Sequence, residues 1–184
     1  MPAEPTVVDA TVLRGFALAD RLHHLAAALG GPAAVCRAVW DPDEEPGQCD
    51  QGRSELTRSL TIQQRRAQDE RRSPQERAAA KRISQQLTTV QRLRDAGDLV
   101  VVDLDDDEEQ LYARLVSTGQ ALTFRLAFPL APSAAASVAV AATRAWRLAS
   151  DDEDAHTALR GIAAQQQPVT TDELLATDPA GPGT

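Results

Sequence analysis

The 184-residue chain has few features of a secreted, membrane-spanning or zinc-binding protein. Its two cysteines, Cys36 and Cys49, form no CxxC pair or other zinc spacing, and they are too few for a disulfide scaffold. No apolar run approaches the roughly 20 residues that cross a bilayer. The stretch from Met1 to Pro5 lacks the basic and apolar regions of a signal peptide. We therefore expect a cytoplasmic protein with reduced thiols and no membrane contact.

The chain also lacks the glycine motifs of common nucleotide and nucleophile sites. It contains no GxGxxG, GxxxxGK(S/T) or GxSxG sequence, so dinucleotide-binding, P-loop and serine-hydrolase functions have no support. With 42% hydrophobic residues, the chain can form one domain with a sizeable core.

The net charge of −8 averages two unlike parts of the chain. Residues 53 to 94 hold eleven of the nineteen basic residues and four acidic ones, which gives this stretch about +7. The remainder carries about −15. The two parts therefore favour different partners, and the negative net charge of the whole chain does not exclude a nucleic acid as a partner.

Short β-prone runs alternate with helical patterns along the chain. Apolar residues from Phe16 to Leu29 recur at helical spacing and end at a Gly-Gly-Pro sequence. The runs that predict strands are residues 6–9, 33–36, 99–104, 146–150 and 168–171. Such alternation predicts an α/β fold in which helices cover both faces of a parallel sheet, giving three layers.

Residues 47 to 97 differ from the rest and predict an inserted basic helical hairpin. Ser73 to Glu76 combine a capping box with proline at the first helical position, and Gly97 ends the second helix. One apolar stripe is expected on that helix: Ala79, Ile83, Leu87, Val90 and Leu93. We expect a single domain over residues 1–176 that includes this arm, followed by a flexible tail over residues 177–184.

Acidic residues follow several of the predicted strands. Asp9 ends the first run, Asp41, Asp43 and Glu44 come after the second, and residues 151–154 follow the run that begins at Trp146. Acids at a helix N-terminus also act as caps, which is the simpler interpretation of each group alone. Because carboxyl ends of parallel strands share one edge of the sheet, these acids should converge there. Hard oxygen ligands favour Mg²⁺ or Mn²⁺ over zinc.

Four motifs, taken in order, resemble a PIN domain, the fold of many small metal-dependent ribonucleases. They are residues 7–13, 38–41, 130–135 and 148–155, and they cover most of the chain outside the arm. The resemblance implies an endoribonuclease with three or four acids around one or two Mg²⁺ or Mn²⁺ ions. It also implies RNA as substrate and, because small PIN proteins are often toxins, an antitoxin-like protein partner. A homodimer is a further expectation.

The resemblance assigns site residues one by one. Asp9 matches the first acid, with Asp41 or its neighbours Asp43 and Glu44 as the second and Asp152 or Asp151 as the late acid. The expected catalytic residues are Asp9, Asp41 and Asp152. The expected metal ligands are Asp9, Asp41, Asp43, Asp151, Asp152 and Asp154. Thr11 and Ser150 are expected to support these acids. Pro42 stands where the second acid usually occurs, and Ala134 stands where the third does.

Two functions remain open at this point. Metal-activated water could hydrolyse RNA held by the arm, with Arg71, Arg72, Arg77, Lys81 and Arg82 as the candidate RNA-binding residues. Alternatively, a module impaired by the loss at Ala134 keeps the fold and binds nucleic acid or a protein partner. The arm could also be a solvated helical face that keeps the hairpin soluble. His156 could orient a phosphate or simply be a surface histidine.

Overall fold

A computed structural model describes residues 4–44 and 54–177. Its sheet has four parallel strands in the order β3-β2-β1-β4, which are β1 Thr6–Val8, β2 Ala33–Cys36, β3 Leu99–Val102 and β4 Leu148–Ala149. The buried valines and alanines of β1 and β2 suit central strands that are covered on both faces. The predicted α/β class with a parallel sheet is therefore confirmed.

Nine α-helices are described in these ranges. They are α1 Ala10–Leu18, α2 Leu25–Leu29, α3 Glu55–Gln68, α4 Pro74–Leu87, α5 Thr89–Ala96, α6 Asp106–Leu115, α7 Pro132–Arg144, α8 Glu153–Ile162 and α9 Thr171–Thr177. Within the described ranges, no helix is long and apolar enough to cross a membrane.

The strand order places helices on both faces of the sheet. The chain moves from β1 to β2 to β3 in one direction and then returns to β4 on the other side of β1. Right-handed crossovers then put the helices before β3 on one face and those between β3 and β4 on the opposite face. The contacts agree, since α7 packs on β1, β2 and β4 beside α6 and α8, whereas α1 packs against α4 and α9. This arrangement is compatible with three layers.

The helix expected from Phe16 to Leu29 is divided. Asp20 takes a left-handed conformation with φ of 60°, and the N–H of Arg21 bonds to the carbonyl of Phe16 (2.9 Å). Together with the Asp20 to Ala17 bond (3.3 Å), this is a Schellman end to α1. A short 3-10 turn at Leu22–His24 leads into α2. Helical spacing concealed the break because Asp, rather than Gly, occupies the left-handed position.

The predicted hairpin is present as α3 and α4, which pack against each other. The long second helix that we expected is interrupted at Thr88, which separates α4 from α5. Ala80 rather than Ala79 is buried. Leu87, Val90 and Leu93 join the main core. The hairpin is thus fastened to the body of the molecule along its second half.

The last predicted strand, residues 168–171, is reduced to one bridge between Val169 and Ala149. Thr171 already begins α9, so too few residues remain for a strand. The predictions for residues 45–53 and 178–184, including Cys49 and most of the tail, concern residues outside the described ranges.

Candidate functional site: the carboxyl edge of the sheet

Asp9 lies at the point where the strand order reverses, directly after β1 and beside the end of β4. Crevices for ligands form at such positions in parallel sheets. The Asp9 side chain is 2% exposed and caps α1. Its Oδ1 accepts hydrogen bonds from the backbone N–H of Thr11 (2.9 Å) and of Val12 (3.2 Å), and from the Thr11 hydroxyl (2.5 Å). Its Oδ2 accepts one from the Ser150 hydroxyl.

The two hydroxyls extend this network to the loop after β4. Thr11 Oγ1 accepts a hydrogen bond from the backbone N–H of Asp151 (2.9 Å), and Ser150 Oγ accepts one from that of Asp152 (3.0 Å). Burial raises the pKa of Asp9 above its ordinary value, while the hydrogen bonds from Ser150, Thr11 and Val12 oppose this shift. The residues expected to support Asp9 therefore contact it directly.

The acids after β4 act mainly as caps. Asp152 Oδ1 accepts from the N–H groups of Asp154 (2.9 Å) and Ala155 (3.3 Å) at the start of α8. Both oxygens of Asp151 accept hydrogen bonds from Thr171, one from its N–H (2.7 Å) and one from its hydroxyl (2.6 Å). The contacts of Asp151 and Asp152 are thus those expected of helix caps. Asp154 is exposed.

His156 fixes the same loop from within α8. Its Nε2 lies 2.7 Å from the backbone carbonyl of Ser150, to which it donates a hydrogen bond. The side chain is half-buried in this position. His156 therefore orients the backbone that carries Ser150, a role that neither of the interpretations from the sequence included.

Two of the acids after β2 form ion pairs with an arginine. Arg37, the first residue beyond β2, donates to Asp41 (2.7 Å) and Asp43 (3.0 Å), and its Nε donates to Asp103 (2.7 Å) beyond β3. These contacts, led by the hydrogen bond to Asp103, raise the pKa of Arg37. Glu44 instead accepts from the N–H and hydroxyl of Ser54 (2.7 and 2.9 Å) before α3. A protein cation thus compensates Asp41 and Asp43.

Glu55 belongs to this edge, although we did not single it out from the sequence. It is the first residue of α3, and its backbone N–H bonds to the carbonyl of Ala38 (3.0 Å), just beyond β2. Its Oε2 accepts a hydrogen bond from Ser133 at the start of α7, and its Oε1 lies 2.9 Å from Arg14 NH2. The usable signal was an acid directly after Ser54, the residue at the N-terminal boundary of α3, but the basic character of the arm concealed it.

The described carboxylates do not form the metal group that we expected. No set of three or more His, Cys, Asp or Glu side chains in residues 4–44 and 54–177 is arranged to hold a metal ion. Asp9 and Asp151 use both carboxylate oxygens in hydrogen bonds, and Glu55 uses both on Ser133 and Arg14. Ala134, at the place of the third acid, is buried and supplies no ligand. In this arrangement Asp9, Asp151 and Glu55 do not fit Mg²⁺ or Mn²⁺, because each of their carboxylate oxygens already has a protein donor.

A cleft of about 750 Å³ lies beyond this edge, between α1, α8 and α9. Its walls include the apolar side chains of Leu18 and Leu175 and the charged side chains of Glu153, Arg160 and Asp172. Gly15 forms part of its floor, where α1 and α9 approach closely. The cleft therefore combines apolar and charged walls.

A second ionic cluster is centred on the buried Glu108. Glu108, which is fully buried, caps α6 with Asp105 and accepts two hydrogen bonds from Arg144 (2.6 and 2.8 Å). Burial raises the pKa of the nearby Cys36 thiol to about 12, and the charge of Glu108 contributes. Cys36 is therefore a thiol that stays protonated, consistent with a structural position.

The basic residues of the arm concentrate in the half of the hairpin that contains its turn. Arg71, Lys81 and Arg82 are exposed, and none of them makes an ion pair with a described residue. Arg72 lies near Asp69 (3.6 Å) and Glu76 (3.8 Å), and Arg77 is partly buried. The set of five candidates thus divides into three exposed cations and two that are half-buried.

Comparisons of the chain with protein families, curated proteins and solved structures found no match.

Proposed function

We propose that this chain is a PIN-like module that binds RNA through its basic hairpin and does not hydrolyse it. The observation that carries the proposal is the internal compensation of the acidic edge. Hydroxyl groups, helix N–H groups and two arginines engage Asp9, Glu55, Asp41 and Asp43. Metal-dependent hydrolysis needs carboxylate oxygens directed at a shared ion, and these oxygens face protein donors instead.

The likeness to a PIN domain is supported by where its expected acids lie. The resemblance requires an acid after the first strand and another after a late strand at one edge of a parallel sheet. Asp9 follows β1, and Asp152 comes after β4, the strand that is hydrogen-bonded to β1. The hydroxyls of Thr11 and Ser150 join these two loops. A module that has lost an acid at Ala134 retains this framework as a scaffold.

The hairpin supplies the charge that RNA binding requires. Residues 65–82 contain seven basic and three acidic side chains. Two of these acids, Asp69 and Glu76, lie beside Arg72, so the exposed cations of the turn and of α4 remain available. Phosphate contacts by Lys and Arg release counterions and do not depend on base sequence. We therefore expect binding with strong salt dependence and little sequence preference.

The test compares two pairs of charge reversals that change the net charge equally. One variant carries Lys81→Glu and Arg82→Glu on α4; the control carries Arg92→Glu and Arg94→Glu on α5, where both arginines are also exposed. The probe is a fluorescent single-stranded RNA of about 20 nucleotides, titrated at several salt concentrations.

We expect the α4 variant to lose about tenfold or more in affinity, whereas the α5 variant stays near the native value. Each lost phosphate contact should reduce the slope of log Kd against log salt by about 0.7 for single strands, hence by about 1.4 for the pair. Equal affinities and equal slopes in the two variants would reject the hairpin as the RNA-binding surface and leave it a solvated face.

A further inference from the structure

Exposed cations occur at two levels of the hairpin formed by α3 and α4. Arg71 is exposed in the turn between the two helices, and Lys81 and Arg82 are exposed on α4. At 1.5 Å per residue, Lys81 lies about 10 Å along the helix axis from Pro74, the first residue of α4. From Arg77 to its end, α4 has no acidic residue. Since α3 and α4 pack together, the hairpin holds these positive charges on a rigid frame.

The hairpin offers no aromatic side chain for base stacking. Residues 54–97 contain no Phe, Trp, Tyr or His, and the whole chain is 3% aromatic. Proteins that hold single-stranded nucleic acids combine a basic groove with aromatic side chains, and each stacked base strengthens binding about fivefold or more. A single strand therefore binds this hairpin without the aromatic stacking that usually compensates for ordering a flexible chain.

Double-stranded RNA suits such a surface for two physical reasons. Its bases are already paired and stacked, and proteins recognise it mainly by shape and by contacts to phosphates and 2′-hydroxyls. Its two strands also present phosphates at higher density and at fixed positions. A rigid pair of helices can contact these phosphates without the entropy loss that ordering a single strand would cost.

We propose that the hairpin binds the paired backbone of double-stranded RNA in preference to single strands. This inference rests on the proposed RNA-binding function and specifies its substrate. Gln75 and Gln85 are exposed on α4, seven residues before and three residues after Arg82, which places all three on one helical face. Their amides provide neutral donors and acceptors for phosphate oxygens and 2′-hydroxyls beside the cations.

The test compares two RNAs that carry nearly equal numbers of phosphates. One is a duplex of about 20 base pairs, and the other is a single strand of about 40 uridines and cytidines, which forms no Watson–Crick pairs with itself. The native chain, the α4 variant with Lys81→Glu and Arg82→Glu, and the α5 control with Arg92→Glu and Arg94→Glu are titrated with each RNA at the same salt concentrations. Circular dichroism checks that both variants are folded.

We expect the native chain and the α5 control to bind the duplex about tenfold more tightly than the single strand. The α4 variant should lose more affinity for the duplex than for the single strand, so that its preference falls to about twofold or less. The reason is that the reversed charges lie on the face that contacts the paired backbone.

The failure of this proposal can be distinguished from the failure of RNA binding. Equal affinity of the native chain for the two RNAs would overturn the duplex preference, and so would a preference that the α4 variant keeps in full. If the α4 variant still binds either RNA more weakly than the α5 control, RNA binding by the hairpin stands in both cases. Equal affinities of the two variants for both RNAs, or no binding of either RNA, would reject the RNA-binding function and the preference with it.

Discussion

Removing Arg144 should destabilise the fold more than removing any exposed arginine. Glu108 is fully buried, and Arg144 provides two hydrogen bonds to it (2.6 and 2.8 Å). Arg144 also donates to the backbone carbonyl of Asp103 (2.9 Å) and lies over the Trp146 ring, 5.1 Å from its centroid. Arg144→Met keeps most of the apolar contact but leaves a buried carboxylate without its cation.

The size of the effect follows from that uncompensated charge. Breaking a buried ion pair by removing one partner costs about 3–5 kcal/mol. The capping hydrogen bond from the backbone N–H of Asp105 to Glu108 (2.9 Å) remains and compensates part of the charge, so we expect about 3 kcal/mol. Urea unfolding monitored by circular dichroism at pH 7 measures this loss, with the exposed Arg92→Met as control.

A double-mutant cycle separates the pair from other contacts of Arg144. Glu108→Gln removes the buried charge, so adding Arg144→Met to it should cost clearly less than it does in the native chain. Two results would refute this reasoning: a loss below about 1 kcal/mol for Arg144→Met alone, or a fully additive loss in the double variant. Either result would mean that Glu108 does not depend on this guanidinium.

Two further predictions concern the neighbourhood of Asp9. A Cβ at Gly15 would lie 2.6 Å from Thr171 Cγ2, so Gly15→Ala should separate α1 from α9 and cost about 1–3 kcal/mol in urea unfolding. Gly119→Ala, whose Cβ would meet no atom closer than 3.9 Å, should change little; equal effects of the two would contradict this packing. Because burial raises the pKa of Asp9, the folded state binds its proton more tightly than the unfolded state. The free energy of unfolding should therefore fall as pH rises from about 3.8 through the folded pKa, and Asp9→Asn should lack this component; identical pH profiles would contradict it.

Local signals predicted the parts of the fold that depend on nearby residues. The run at residues 33–36 became β2 with the expected bounds, and the capping box of Ser73 and Glu76 is present in full. Alternating strand and helix patterns were sufficient for the parallel sheet. These features depend on backbone geometry and on hydrogen bonds between residues that are close in sequence. They can therefore be predicted from the sequence alone.

The partners of the acids could not be predicted in the same way. Parallel strands did bring the loops of Asp9 and Asp152 together, as their positions implied. However, the guanidiniums of Arg14 and Arg37 reach acids through contacts that depend on helix placement and rotamers. Glu55 is 78 residues from its partner Ser133 in sequence. No local sequence pattern indicates a contact between residues so far apart. The sequence therefore could not show whether arginines or a metal ion would compensate the charges of these acids.

The most direct test of the account is whether the native chain cleaves the RNA that it binds. The same labelled single strand and a structured hairpin RNA are incubated with the protein in Mg²⁺, in Mn²⁺ and in EDTA at matched ionic strength, and both bound fraction and product are measured. We predict similar binding in all three solutions and no product above that of the protein-free control. Cleavage that needs Mg²⁺ or Mn²⁺ and disappears in Asp9→Asn would contradict the account and establish a metal-dependent nuclease.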